Sequence, residues 1–337
     1  LAEPGFLSCR LTYTPPGGKP VTAVAGAGFE PEKLKPSLPV PDDFDAFWTA
    51  QKAKLRAQKP EPVLTDVKSP QAEVDTFDLQ IPGLDWRPVS AYFARPKDAK
   101  PGSCPIILSV HGAGVRGSNL GGAAGNARGY HALSVDLNAN GIPNGKPDSY
   151  YTDLANGDLK DYRYVGRDDR EKCYFLGMFL RLVRTLDFLC AQPEWDGKHV
   201  IVTGGSQGGG QSLAAAGLDP RVTLICAGVP AICDHSGKVA GRINGWPKLV
   251  PDVDGKPDPK VLEAARYFDC VNFASRAKCR SVLSVGFIDT VCPPSSVYAA
   301  YNALPGPKDI VCEPLMGHSS TQRIGAAFSA AMREHLK

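Results

Sequence analysis

The sequence has no paired Cys-x-x-Cys spacing, no marked charge excess and no long apolar run. Its ten cysteines, Cys9, Cys104, Cys173, Cys190, Cys226, Cys233, Cys270, Cys279, Cys292 and Cys312, are scattered along the chain, which argues against a zinc site. Several fall inside apolar strand or helix patterns and read as small buried hydrophobes. In an oxidising compartment, Cys270 and Cys279 are the nearest pair with an intervening loop and the first candidates for a disulfide. Lysine plus arginine number 38 against 35 acidic residues, a net charge of +3. So small an excess supplies no field for nucleic acid or an acidic membrane surface. No apolar stretch reaches the roughly 20 residues that cross a bilayer, because Gly, Pro or Arg interrupts the longest ones. A basic-then-apolar leader is also missing ahead of the first residues, so an N-terminal segment was either processed away or lies outside this sequence. Secretion or the periplasm is therefore weighed ahead of the cytoplasm.

What is present is ordinary globular composition. The 337 residues are 43% apolar and 22% charged, enough to bury one large core or two modest ones. Residues 1–30 hold a strand-like run from Leu7 to Tyr13, a Pro-Gly-rich turn and a short run from Val21 to Val24. That is too little to bury its own core, and it reads as a β extension packed on the main body or the remnant of a small β domain. Pro31 to Pro41 reads as a linker. Asp42-Asp43 then caps an amphipathic helix carrying Phe44, Phe47, Trp48 and Leu55, where the catalytic body, residues 31–337, begins its core.

Strand candidates follow at Val74–Gln80, Val89–Ala94, Pro105–Val110, Ala132–Asp136, His199–Thr203, Val222–Gly228, Ser281–Gly286 and Asp309–Cys312. Helical periodicity separates them, clearest at Leu176, Phe179, Leu180, Val183, Leu186 and Cys190. Two antiparallel-looking strands and then repeated strand–helix units predict an α/β fold, with a mostly parallel central sheet and helices on both faces. The polar stretch from Asn138 to Arg170 is too long for a bare connection and predicts a functional excursion over the sheet.

The run Thr203-Gly204-Gly205-Ser206-Gln207-Gly208 lies between a buried strand pattern and a small-residue helix pattern. Gly-x-Ser-x-Gly alone arises by chance in glycine-rich loops; between a strand and a helix it reads as a nucleophile elbow. A serine hydroxyl is a poor nucleophile near neutral pH, so Ser206 needs a base and a carboxylate to hold that base in one tautomer. His318 follows the last strand candidate, at the sheet's carboxyl edge, and is the expected base. His235 is its one rival, while His131, His199 and His335 read as structural. Asp289, after the strand Ser281–Gly286, is the expected carboxylate; a turn or N-cap role before Pro293-Pro294 is the bland alternative. Asp309 is the runner-up, at the wrong end of its strand. The order Ser, Asp, His is that of α/β-hydrolases. The oxyanion formed on attack needs two fixed donors, expected from the backbone N–H of Gln207 and of Ala113 in His111-Gly112-Ala113-Gly114.

With these residues in place the chain resembles the acetyl xylan esterase and cephalosporin C deacetylase family of α/β-hydrolases. The resemblance is carried by Pro41-Asp42-Asp43-Phe44-Asp45-Ala46-Phe47-Trp48, by Gly204-Gly205-Ser206-Gln207-Gly208, and by Arg266-Tyr267-Phe268-Asp269 through Val271-Asn272-Phe273-Ala274. Ser284-Val285-Gly286, Asp289, Cys292-Pro293-Pro294 and Ala299-Ala300-Tyr301-Asn302 extend it. It covers residues 31–337 and implies Ser206, Asp289 and His318 as triad, Gln207 and Ala113 as oxyanion donors, and no metal or organic cofactor. It also implies an acetylated oligosaccharide or polysaccharide as partner. A serine peptidase, a lactone hydrolase and a non-catalytic carbohydrate-binding module are the competing readings. Neither nucleic acid nor a membrane is an expected partner, and a homo-oligomer is compatible with the family. Three departures stand out. Leu137-Asn138-Ala139-Asn140-Gly141 lies where the family has Arg-Gly-Gln; Ser319 follows the histidine in place of Glu; and Ala113 follows His-Gly in place of Tyr.

Overall fold

The computed structural model describes residues 2–83 and 87–337. Strands β1 (Gly5–Tyr13) and β2 (Val21–Phe29) pair antiparallel as a largely exposed hairpin. Its attachment is local. Phe6 packs edge-on against Phe287 at 5.1 Å between ring centroids, and the Gly26 N–H donates to the Pro314 carbonyl at 2.8 Å. A side chain at position 26 would come within 2.6 Å of the Phe287 carbonyl, so glycine is what lets β2 lie against the body.

Helix α1 (Phe44–Ala57) buries Phe44, Phe47, Trp48 and Leu55, the expected face. Its expected cap is different. Asp43 stands at the N-cap position but makes no capping bond; its carboxylate accepts instead from Arg170 at 2.7 Å and from the Tyr267 hydroxyl. Charge-assisted bonds to a guanidinium outcompete a neutral backbone donor. Trp48 meets Phe268 and Phe273 edge-on at 5.9 and 5.2 Å and donates its indole N–H to the Tyr267 carbonyl at 3.0 Å.

The body continues as β3 (Val63–Val67), β4 (Val74–Ile81), β5 (Val89–Pro96), β6 (Cys104–Val110), α2 (Leu120–Tyr130) and β7 (Leu133–Leu137). After the excursion, which holds α3 (Asp148–Asn156), come α4 (Tyr174–Leu189), β8 (Trp195–Gly205), α5 (Gln207–Leu218) and β9 (Leu224–Gly228). A two-residue ribbon, β10 (Asp252–Val253) with β11 (Lys256–Pro257), precedes α6 (Pro259–Ala265) and α7 (Cys270–Ala274). The chain ends in β12 (Arg280–Gly286), α8 (Pro294–Ala303), β13 (Lys308–Glu313) and α9 (Gln322–His335).

Nine strands form one sheet in the order β13-β12-β9-β8-β6-β7-β5-β4-β3. From β13 to β7 every neighbouring pair is parallel, and from β7 to β3 every pair is antiparallel. Side-chain alternation sorts the helices onto the two faces. Ile106, Leu108, Val200 and Val202 point into the core shared with α1, α4, α5 and α7, while Ile107 and Ile201 meet Ala331 and Met332 of α9. Tyr92 and Ala94 pack on α2 through Ala123, Ala124 and Ala127. The expected helices-on-both-faces architecture is thus present, with one strand of the large sheet, β3, unforeseen, as was the small β10–β11 ribbon. β3 is an exposed edge strand with no apolar alternation to betray it.

All ten cysteines are free, which corrects the disulfide expected between Cys270 and Cys279. The Cys270 thiol donates to the Gly210 carbonyl at 3.1 Å across the α5–α7 contact, whereas Cys279 lies beside Ser281 at the foot of β12. Each side chain is committed to a different neighbour. Among the described residues no helix is long and apolar enough to cross a membrane.

Because the indole of Trp48 sits at the centre of the aromatic cluster under α1, Trp48→Ala is expected to cost about 3–5 kcal/mol. Equilibrium urea denaturation with unchanged m-value is the measurement.

Candidate active site

The elbow is set by backbone packing on backbone. A Cβ on Gly208 would lie 2.1 Å from the Val110 carbonyl oxygen and one on Gly204 would lie 2.5 Å from the same atom. Both positions therefore exclude side chains, while Gly205 between them faces open space. Ser206 takes φ 56° and ψ −120°, a conformation a non-glycine residue rarely adopts, which stores about 1–3 kcal/mol of strain. It is held there by its N–H donating to the Gly228 carbonyl at 2.8 Å and its carbonyl accepting from Ala231 at 2.9 Å.

His318 lies in the loop between β13 and α9. Its Nδ1 is 2.8 Å from the Asp289 carboxylate and its Nε2 is 2.9 Å from the Ser206 hydroxyl. The other Asp289 oxygen accepts from the backbone N–H of Val291 and Cys292, at 2.8 and 2.9 Å. With the Asp289 carboxylate fully buried and His318 about a quarter exposed, the imidazole has one dry side and one wet side. Such a row can lower the barrier to losing the serine proton, because Nε2 can take it while the carboxylate steadies the resulting cation. The close packing of this loop is again a glycine matter. At Gly286 a Cβ would meet the Met316 carbonyl at 2.3 Å.

The second loop beside the serine is His111–Gly114, directly after β6. A Cβ on Gly112 would be 3.6 Å from Ser206 Cβ, so this loop lies against the elbow. The Ala113 and Gln207 N–H groups have no hydrogen-bond partner among the described residues. His111 is a peg for this loop: its Nε2 accepts from the Ala139 N–H at 3.1 Å, so its Nδ1 donates to the Gly112 carbonyl at 2.6 Å. Burial holds its pKa down at about 4, keeping it neutral.

Sequence reasoning missed the residues that hold this loop from behind. Asn138 donates to the Arg116 carbonyl at 2.7 Å, Asn140 to the Gly114 carbonyl at 2.8 Å, and the Tyr174 hydroxyl to Asn140 at 2.9 Å. Tyr162, from the excursion, donates to the Gln207 side chain at 2.6 Å. The signal for the two asparagines was their place in the segment that departs from the family pattern. Tyr151, in α3, donates to the Pro143 carbonyl at 3.0 Å within the same excursion.

The rivals fall away on contacts. His235 is buried, its backbone N–H donates to Asp269 at 2.7 Å, and neither ring nitrogen has a partner among the described residues. Asp309 pairs with Arg280 at 3.8 Å near the foot of β13. Ligand atoms of Asp289, Cys292 and His318 come within 4.8 Å of one another, but the carboxylate and imidazole already bind each other and burial pushes the Cys292 thiol far up. A thiolate ligand is thereby disfavoured. A cavity of about 430 Å³ opens onto Ser206 and His318, walled by Val229, Ile324 and Phe328.

The acetyl xylan esterase family model matches residues 30–332. The chain belongs to the acetyl xylan esterase family. It is 33% identical to the acetyl esterase Axe7A of Xylanibacter ruminicola, over all of this chain and 76% of that protein. Among solved structures, the acetyl xylan esterase from Paenibacillus sp. R4 superposes with a TM-score of 0.74 at 29% identity, covering 91% of this chain and 98% of that one. Acetyl xylan esterase 1 from Thermoanaerobacterium sp. JW/SL YS485 gives a TM-score of 0.76 at 26% identity, covering 91% and 97%. As a member of this family the chain is a carboxylic ester hydrolase of the α/β-hydrolase fold, of the class that deacetylates carbohydrate.

Burial lowers the pKa of His235 to about 3. A neutral buried imidazole takes its proton only on unfolding, so as pH falls below the ordinary 6.5 acid favours the unfolded chain until the folded group titrates. His235→Leu is expected to flatten the pH dependence of stability between pH 6 and 4 by one proton, about 1.4 kcal/mol per pH unit. Urea melts of both proteins across that range measure it.

Proposed function

We propose that Ser206 is the nucleophile, His318 the general base and acid, and Asp289 the group that orients it, with the N–H groups of Gln207 and Ala113 as oxyanion donors. The hydroxyl attacks the acetyl carbonyl while Nε2 of His318 takes its proton. The tetrahedral oxyanion is held by the two N–H groups, then collapses with cleavage of the bond to the sugar oxygen as His318 gives that oxygen the proton, releasing the sugar hydroxyl. Water repeats the cycle on the acetyl-enzyme and releases acetate. The observation that carries the reading is the unbroken Asp289–His318–Ser206 row at 2.8 and 2.9 Å.

The substrate in this reading is an acetylated oligosaccharide or polysaccharide. Residues 1–30 act as a β extension of catalytic residues 31–337. A charge of only +3 gives nucleic acid no purchase, and a homo-oligomer remains compatible. The triad fixes acyl transfer but not the leaving group, so a peptidase or lactonase is separated by assay. An acetylated xylo-oligosaccharide should be turned over in preference to a long-chain ester, a lactone or a peptide; the reverse preference would remove the deacetylase assignment.

Ser206→Ala is expected to lower kcat about 10⁶-fold and Asp289→Asn about 10⁴-fold, with KM for the acetylated sugar little changed. A fluorophosphonate should label the wild type at Ser206 and leave Ser206→Ala unlabelled, as read by peptide mass mapping. Full turnover by Ser206→Ala would show that the nucleophile lies elsewhere and would favour a non-catalytic role for this cleft.

A further inference from the structure

The excursion between β7 and α4 reaches back to the elbow through one side chain. Tyr162 sits in a short 3₁₀ turn, Tyr162–Tyr164, and is 4% exposed. Its hydroxyl donates to Gln207 Oε1 at 2.6 Å and accepts a longer bond, 3.5 Å, from the Gly114 N–H. Those two partners belong to different loops, each carrying one of the proposed oxyanion donors. Gln207 is fully buried, and its amide nitrogen has no partner among the described residues. Among the described residues, the bond to Tyr162 is thus the one polar tether of that side chain. Tyr162 is itself braced: its ring packs on Tyr174 at 5.0 Å, and Tyr174 donates to Asn140, which holds the Gly114 carbonyl.

We propose that Tyr162 is a positioning residue for ester hydrolysis: its phenol bridges the elbow and the His111–Gly114 loop and fixes the separation of the Gln207 and Ala113 N–H groups. The proposal rests on the assignment of those donors made above. Donor placement matters in the transition state, when the oxyanion shortens its hydrogen bonds, and hardly at all in the ground-state complex. Removing the bridge therefore acts on kcat. Burial pushes the phenol up to about 12, so the hydroxyl stays a donor throughout the working pH range and the effect is independent of pH.

The test compares wild type, Tyr162→Phe, Gln207→Leu and the double variant on an acetylated xylo-oligosaccharide, with active sites counted by fluorophosphonate labelling. Tyr162→Phe keeps the ring and removes only the bridge. Its expected kcat per labelled site is down about tenfold, less than the full loss of a donor, with KM within about twofold. The Ki of an alkyl boronic acid, whose tetrahedral adduct places oxygen in the oxyanion position, should rise by the same factor as kcat/KM falls. The double variant should be no worse than the poorer single one, since both remove the same contact. Unchanged kcat and boronate affinity in Tyr162→Phe would overturn the proposal, as would a fall in melting temperature with kcat per labelled site intact, or fully additive losses. Absence of acetyl ester hydrolysis by the wild type would instead overturn the functional reading, and this proposal with it.

Discussion

The carbonyl of Val110 lies where side chains would be if the elbow were made of ordinary residues, and the site depends on that intrusion. Backbone from β6 comes so near the turn between β8 and α5 that a Cβ would lie 2.5 Å from the Val110 oxygen at Gly204 and 2.1 Å from it at Gly208. Close approach lets β6 and β8 end side by side, so that the loop leaving β6 lies against the residue that begins α5. The strained φ of Ser206 is the local cost, about 1–3 kcal/mol. It is offset by the buried surface of α5, in whose first turn Gly208, Gly209 and Gly210 pass close to the backbone of Val110, Gly228 and Ala231.

A parallel sheet buried on both faces then does the rest of the placement. β8, β9, β12 and β13 run side by side in one direction, so the loops that follow them emerge at one edge. Asp289 follows β12, His318 follows β13, and Ser206 follows β8. Nothing in the local sequence of any of them specifies the other two. What specifies them is the register of the sheet, and each loop is fastened there separately: the elbow by Gly228 and Ala231, the His318 loop by the tight pass of Met316 over Gly286.

Much of this was legible in the residues because the strands that matter are apolar, short and bounded by turn residues. β6, β12 and the apolar stretch Val200–Val202 within the longer β8 are of this kind, and the motif residues follow at or within three positions of the strand ends. β3 was not legible, since an exposed edge strand carries neither alternation nor an apolar run. The cap of α1 misled because a carboxylate at an N-cap has a competing use when an arginine folds against it. Asp43 gives itself to Arg170 and Tyr267, partners more than a hundred positions away. The cysteine pair misled for the same reason, since Cys270 at the start of α7 is committed to the Gly210 carbonyl and Cys279, just ahead of β12, lies beside Ser281.

The asparagines after β7 show why a departure from a family pattern need not be a loss. A buried loop with free carbonyls must find donors, and in this chain Asn138 and Asn140 supply them, reaching the Arg116 and Gly114 carbonyls at 2.7 and 2.8 Å. These two donors are uncharged amides, and a guanidinium, that of Arg116, reaches the same loop, donating to the Gly112 carbonyl at 3.3 Å. The segment between β7 and α4 spans from the loop after β6 to the elbow, where Tyr162 meets both the Gly114 N–H and the Gln207 side chain. A short connection would have had no residue in the position of Tyr162.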